Sequence, residues 1–472
     1  MALSIPKQDL GGAIARYGLS KRAASNTLQD LPWDSLEKML GNLWSLDNPN
    51  GLVFLGVAEN PLLQQEVATY INNRLTINPA EHLGYGAAGP RGSPRLKQAL
   101  TAFFNSHQFR ARQPVLPTEL VVLPGAVAVL DALVWSVCNE GEGILVPQPF
   151  YTGFRPAAGE RARGVLVPAS FRSLDGYRSL DDIFEPAMNK KAFERALRQA
   201  AYDGIKVRAV MLSKPGQPAE TLREIASFCG RNNLHLICDE VFAKSGYDSP
   251  RGSEIAPFTS ILAVDWGGCI DPHLVHVAYG MGKDFCATGL RLGVLHSRNP
   301  GLVKAVTSVC VFGWVPYVTQ EMWADMLLDE TFLTGFFAKN RAVLAEHCAI
   351  LTSFLEQHEI PYYANVNAGV FIWVDLRRYL RGGNSLAGGG GAATSLSIGA
   401  LSPSELTMYR DREAALAKRC MQHGVGISPG SGFSTEELGW FRIGFAVERQ
   451  ALQTGLQRLW GCLEATRRAD AS

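Results

Sequence analysis

The feature that most constrains the fold is an alternation, from about Tyr85 to Val311, of short continuous apolar runs with helix-like segments. The apolar runs are ELVVLP (Glu119 to Pro124), GILVPQPF (Gly143 to Phe150), VRAVMLSKP (Val207 to Pro215), LHLICDE (Leu234 to Glu240), LVHVAYG (Leu274 to Gly280) and LRLGVLHS (Leu290 to Ser297). They are apolar on both alternating faces, so each reads as a strand covered above and below. Between them, Ala126 to Val137 is apolar almost all round and reads as a buried helix. Glu220 to Asn232 reads as another helix. The expectation is an α/β fold: a mainly parallel sheet sandwiched by helices, with its ligand at the carboxyl ends of the strands.

A chain of 472 residues rarely closes around one core. Residues 1–60 read as an N-terminal arm and part of a small lobe, 61–330 as the large α/β lobe, and 331–472 as a smaller α+β lobe. In the arm, Trp33 to Leu46 is weakly amphipathic, and GLVFLGVAENPL (Gly51 to Leu62) reads as a strand and turn. Gln64 to Leu75 reads as a helix. The C-terminal part reads as a long helix (Thr331 to Glu356), a strand in NAGVFIWVDLRRY, a helix from Pro403 to Gln422 capped by Ser402 with Glu405 closing a capping box, a strand pair at GVGISPG and WFRIGFA, and a last helix. The Gly-rich segment at about 381–402 is expected to be a flexible surface insert.

Composition narrows the function classes. A net charge of +1 without a basic run points away from nucleic acid and anionic membranes. No apolar run has membrane-spanning length, and the start lacks the layout of a signal peptide. The nine cysteines stand singly, without a CxxC pair, so neither a metal site nor a disulfide framework is expected. A reducing, cytoplasmic setting fits.

The residues with chemical potential cluster at the ends of the strand-like runs. Lys283 follows LVHVAYG; a lysine in a covered site can lose its proton and form a Schiff base. Alone it reads as well as a loop lysine. Asp239 ends LHLICDE and could pair with a pyridinium nitrogen, or could simply cap a helix. Gly125, Ala126 and Val127 lie where a strand gives way to a buried helix, whose free amides can bind phosphate, and Arg291 could pair with the same anion. Tyr151 could lie flat on a ring or be a core aromatic. Arg442, inside the apolar GWFRIGFA, needs an anion: a substrate carboxylate or an internal ion pair.

Order and spacing together resemble a pyridoxal 5′-phosphate (PLP) enzyme of the aspartate aminotransferase fold. Within that group the chain is most similar to aminocyclopropane-carboxylate synthases and their fungal relatives. GVAENPL, the Tyr85 region, LPGAVAVLDAL, LVPQPFYTGF, ICDEVFA, GKDFCATGLRLG, NAGVFIWVDLR, ISPGSGF and GWFRIGFA carry the likeness across nearly the whole chain.

The resemblance implies that Lys283 carries the cofactor as an imine, Asp239 binds its ring nitrogen, and Tyr151 stacks on the ring. Ala126, Val127 and Arg291 would hold the phosphate, and Arg442 the substrate carboxylate. Ala58 and Glu59 would lie beside the substrate. Tyr85 would reach the neighbouring site of a homodimer. The chain departs from the family at Gln217, which stands in place of an asparagine near the phenolic oxygen. Phe242 replaces a tyrosine there, and Gly280 and Gly282 replace two phosphate-binding serines, where backbone amides could serve instead. These changes favour α,β-elimination of a cysteine conjugate, a carbon–sulfur lyase reaction of secondary metabolism. Transamination of an α-amino acid, cyclopropane formation from S-adenosylmethionine, and an inactive scaffold are the alternatives.

Overall fold

A computed structural model describes Ile14, residues 17–27, Glu37, and residues 39–213, 217–249, 257–380 and 403–471. The Gly-rich insert, the Ser402 cap and residues 33–36 and 38 of the Trp33 to Leu46 stretch lie outside the described residues.

Seven strands form the central sheet: β2 (Leu120–Leu123), β3 (Gly143–Pro147), β4 (Val165–Ala169), β5 (Val207–Ser213), β6 (His235–Asp239), β7 (Val275–Gly280) and β8 (Gly293–Ser297). Their order is β2-β8-β7-β6-β5-β3-β4. Only β8 runs against its neighbours; the other pairings in the sheet are parallel. Helices Pro94–Asn105, Pro186–Tyr202 and Ala219–Arg231 pack into one apolar cluster with the sheet, and Ala126–Val137 into another. This is the covered α/β sheet that the apolar runs predict.

Two strand readings change. Strand β4 is not among the predicted ones. It lies at the sheet edge and contains Pro168, which an edge strand tolerates because that position need not donate to a neighbour. The run from Leu290 becomes a strand only at Gly293. Thr288–Leu290 forms a 3₁₀ turn, and Arg291 adopts a left-handed conformation (φ 50°, ψ 53°). Tertiary packing overrides the apolar pattern there and redirects the chain.

A separate apolar cluster gathers the chain's two ends. Strand β1 (Val53–Phe54) pairs in parallel with β10 (Val425–Gly426). Strand β12 (Trp440–Gly444) lies antiparallel between β11 (Ser428–Pro429) and β9 (Phe371–Asp375). Helix Glu330–Gln357, capped by Asp329 on the Phe332 amide, serves both cores. Leu333, Phe336 and Phe337 belong to the sheet's cluster; Leu344, Cys348, Leu351 and Leu355 belong to the second. One 28-residue rod thereby couples the two cores. Among the described residues, no helix is long and apolar enough to cross a membrane.

Candidate active site

Parallel pairing of β6 with β7, and the two antiparallel pairings through β8, bring the carboxyl ends of β2, β6 and β7 to one edge of the sheet. The register is close: Leu123 pairs with Gly293, Gly293 with Gly280, and Ala278 with Asp239. From the opposite side, β1 carries the segment after Leu55 towards this edge. The Gly444 amide donates to Leu55 O at 2.7 Å, tying that segment to β12. The result is a cleft of about 1180 Å³ between the sheet edge and the second core.

Ala58, Glu59, Ala126, Val127, Tyr151, Gln217, Asp239, Gly280, Gly282, Lys283, Arg291 and Arg442 all line this cleft, as does Phe242. Tyr85 does not. It is 83% exposed and stacks on Trp314 with ring centroids 5.4 Å apart.

Lys283 sits in the short helix Met281–Asp284 immediately after β7, and its Nζ donates to the Ala58 carbonyl. Burial lowers its pKa, against the opposing attraction of Glu59 and Asp239; Arg442 and Arg291 lower it further. A lysine so placed gives up its proton more readily than a surface lysine, as a nucleophile or base requires. Asp239 is only 4% exposed. Burial pushes its pKa up to about 7, although the Val241 amide donates to it and Lys283 attracts it. A buried carboxyl of this kind is completed by a cationic or protonated ring partner.

The chain between β2 and helix Ala126–Val137 turns at Gly125 (φ 95°, ψ 163°). A Cβ there would stand 2.6 Å from Arg291 Nη2, and one at Gly293 would stand 2.5 Å from Gly125 C. The missing side chains let the Arg291 guanidinium lie directly over the turn, beside the first amides of a 12-residue helix. An anion fits this combination of cation, dipole and free amides. Tyr151 packs edge-on against Phe154, with centroids 5.7 Å apart, on the same wall. Gln217 is 8% exposed, and its Oε1 has no hydrogen-bond partner among the described residues.

Arg442 projects from β12 and is 7% exposed. Its Nη2 donates to Gly56 O at 2.7 Å, and its guanidinium lies 4.6 Å from the Phe371 ring and 4.2 Å from the Phe433 ring. Among the described residues it makes no ion pair, and burial lowers its pKa to about 10. The two flanking phenylalanines and the Gly56 carbonyl were not legible as site groups in the sequence. Thr288 is a further cleft residue that sequence reasoning missed. Its only local signal is a hydroxyl five positions after the lysine.

Residues 54–459 match the family described as aminotransferase class I and II. The chain belongs to that family. It is therefore a PLP-dependent enzyme. Among curated members it is similar to 1-aminocyclopropane-1-carboxylate synthase 1 of Oryza sativa subsp. indica, at 28% identity over 93% of this chain and 87% of that one. It is likewise 28% identical to 1-aminocyclopropane-1-carboxylate synthase 2 of Solanum lycopersicum, over 85% of this chain and 77% of the relative.

Among solved structures, aspartate aminotransferase from Thermus thermophilus with maleate superposes with a TM-score of 0.66 at 18% identity, covering 94% of this chain and 99% of that one. Aromatic aminotransferase from Pyrococcus horikoshii gives 0.63 at 20%, over 91% and 99%. The structural likeness carries the fold. The class I and II family supplies the cofactor, and the cleft offers groups of the right chemistry for it: a buried acid, a buried lysine and a glycine-floored anion cradle.

Proposed function

We propose that this enzyme is a carbon–sulfur lyase acting on a cysteine conjugate. The observation that carries an α-amino acid substrate is Arg442, a buried guanidinium without an ion pair among the described residues, facing the same cleft as Lys283 and Asp239. The choice of elimination is supported by the breadth of the cleft, which continues past Arg442 to Tyr177, Tyr363, Trp373 and Trp440. That is room for a substituent larger than an ordinary side chain. Phe242 adds no hydroxyl to the cofactor's surroundings.

In this reading Gly125, Ala126, Val127 and Arg291 would hold the phosphate, with Gly280 and Gly282 close by. Tyr151 would pack against the ring, Asp239 would pair with its nitrogen, and Gln217 would serve the phenolic oxygen. Once bound, PLP supplies an electron sink for the substrate's α-carbon. Arg442 grips the α-carboxylate through two parallel N–H donors and fixes the α-carbon's orientation. Ala58 and Glu59 border the substrate. Lys283 Nζ takes the α-proton. The β-sulfur leaves with the bonding electron pair and is protonated to a thiol. With one water consumed, the three-carbon fragment ends as pyruvate and ammonium.

The test is incubation of purified enzyme and PLP with a cysteine S-conjugate and no keto acid. Equimolar thiol, pyruvate and ammonium, lost in Lys283→Ala, are the expected products. Amino exchange that requires a keto acid and releases no ammonium would replace elimination with transamination, the reading that the family's name favours. Methylthioadenosine release from S-adenosylmethionine would move the assignment to the reaction named for the curated relatives.

A homodimer belongs to the same proposal. Leu83, Val311 and Phe312 are exposed apolar groups, and Tyr85, stacked on Trp314 and 83% exposed, would reach a partner's cleft. Light scattering at the mass of a single chain would refute it. All cysteines except Cys269 are buried and none is bridged, which supports a reducing, cytoplasmic setting.

A further inference from the structure

Thr288 is the single hydroxyl-bearing residue between Gly280 and Leu292, the stretch that runs from the end of β7 through the lysine to the arginine of the anion cradle. The two glycines that flank Met281 differ in what they would tolerate. A Cβ at Gly280 would stand 2.8 Å from Leu292 O, so backbone excludes a side chain at that position. A Cβ at Gly282 would stand 3.4 Å from Thr288 Cα and 3.7 Å from its Oγ1. A side chain at 282 would therefore lie in ordinary contact with Thr288. Its hydroxyl stands near where one carried by residue 282 would stand.

The same turn is joined to the cradle. The Arg291 amide and Nη1 both donate to the Thr288 carbonyl, at 3.4 and 3.2 Å. Thr288 and Arg291 are thereby tied together, and both line the cleft with Gly125 and Ala126. Thr288 Oγ1 donates to Gly282 O at 2.9 Å. Turning the hydroxyl proton towards an anion needs rotation about one bond and no displacement of a heavy atom. The exchange replaces a neutral hydrogen bond with a charge-assisted one, which is the stronger type.

We infer that Thr288 supplies, from the far side of the lysine, the hydroxyl contact to the cofactor phosphate that Gly280 and Gly282 cannot make. This rests on the reading that Gly125, Ala126, Val127 and Arg291 hold that phosphate. Thr288 is thus a cofactor-binding residue placed by a tertiary contact, beside a position, 282, that carries no hydroxyl of its own.

The experiment is titration of the apoenzyme with PLP and, separately, with pyridoxal, which lacks the phosphate, following cofactor absorbance. Thr288→Val removes the hydroxyl and preserves the shape; it is expected to weaken PLP about tenfold. Pyridoxal affinity stays at the wild-type value, and Thr288→Ser retains wild-type PLP affinity. In the double variant Gly282→Ser/Thr288→Val the hydroxyl returns on residue 282, and part of the lost PLP affinity returns with it. If Thr288→Val folds poorly, Thr288→Ala removes the same hydroxyl with less bulk in the turn. PLP affinity unchanged by either substitution overturns the inference, as does an equal loss for PLP and pyridoxal, which would make Thr288 only a support for the turn. Wild-type protein that binds pyridoxal as tightly as PLP removes the whole phosphate-cradle reading, a distinct result from failure at Thr288 alone.

Discussion

Replacing Arg442 with methionine separates a substrate-binding arginine from a structural one. The wild-type guanidinium is nearly inaccessible, donates one hydrogen bond to Gly56 O, and packs over Phe371 and Phe433. Loss of the hydrogen bond costs roughly 1–3 kcal/mol. Loss of the two ring contacts costs about 1 kcal/mol or more apiece when desolvated. Against this stands the penalty of burying a cation without an anion, several kcal/mol in a protein interior. The terms nearly offset, and methionine retains apolar packing, so Arg442→Met should change the unfolding free energy of the cofactor-free protein by no more than about 2 kcal/mol. Removing one partner from a buried ion pair instead costs about 3–5 kcal/mol.

Activity should respond much more strongly. Loss of a bidentate, charge-assisted grip on the substrate carboxylate should lower kcat/KM by about 100-fold or more, mainly through KM. Arg442→Lys retains the charge but lacks the planar fork, so it should recover only part of that loss. Urea denaturation of the apoprotein and steady-state kinetics on an α-amino acid substrate measure the two effects. Destabilisation above about 3 kcal/mol with an unchanged KM would refute the argument, because it would make Arg442 an internal structural cation.

Gly125→Ala places a methyl against Arg291 Nη2 and also imposes a side chain at φ 95°. It should weaken PLP binding at least about fivefold, the lower end of the cost of such backbone strain, and a titration showing unchanged affinity would remove Gly125 from the cradle. Asp239 yields a pH prediction. Its folded pKa, raised by burial to about 7, lies above its unfolded value, so the folded apoprotein retains a proton that the unfolded chain releases. Apoprotein stability is therefore highest at the acid end of the window from about pH 4 to 7 and falls as pH rises through it, by roughly 2–4 kcal/mol for this group. Asp284, also raised to about 7 by burial, slopes the same way. Asp239→Asn removes only the first contribution, and bound PLP should remove it too by placing a positive ring nitrogen beside the carboxylate. Identical pH slopes for the apoprotein, the loaded protein and the asparagine variant would contradict that assignment.

Much of the frame could be read without coordinates because its signals are local. A strand covered on both faces is near-continuously apolar, so the runs ending at Asp239 and Gly280 announced both their type and their burial. The helix Ala126–Val137 did the same through its all-round apolar surface. The order of the glycine turn, the acid, the lysine and the arginine then pointed to a single site.

What remained hidden depends on contacts between residues far apart in the chain. Strand β4 is short and proline-containing, and only its place at the sheet edge makes it a strand. The left-handed Arg291 sits inside an apolar run that reads as extended; packing over Gly125 selects its conformation. Nothing local in GWFRIGFA distinguishes an internally paired arginine from a substrate-facing one. The contacts that surround it, from Gly56, Phe371 and Phe433, come from distant parts of the chain. Sequence periodicity records which faces a segment must bury, whereas partnership at a buried charge or across a glycine gap depends on three-dimensional distance, and that is set only when the two cores close on each other.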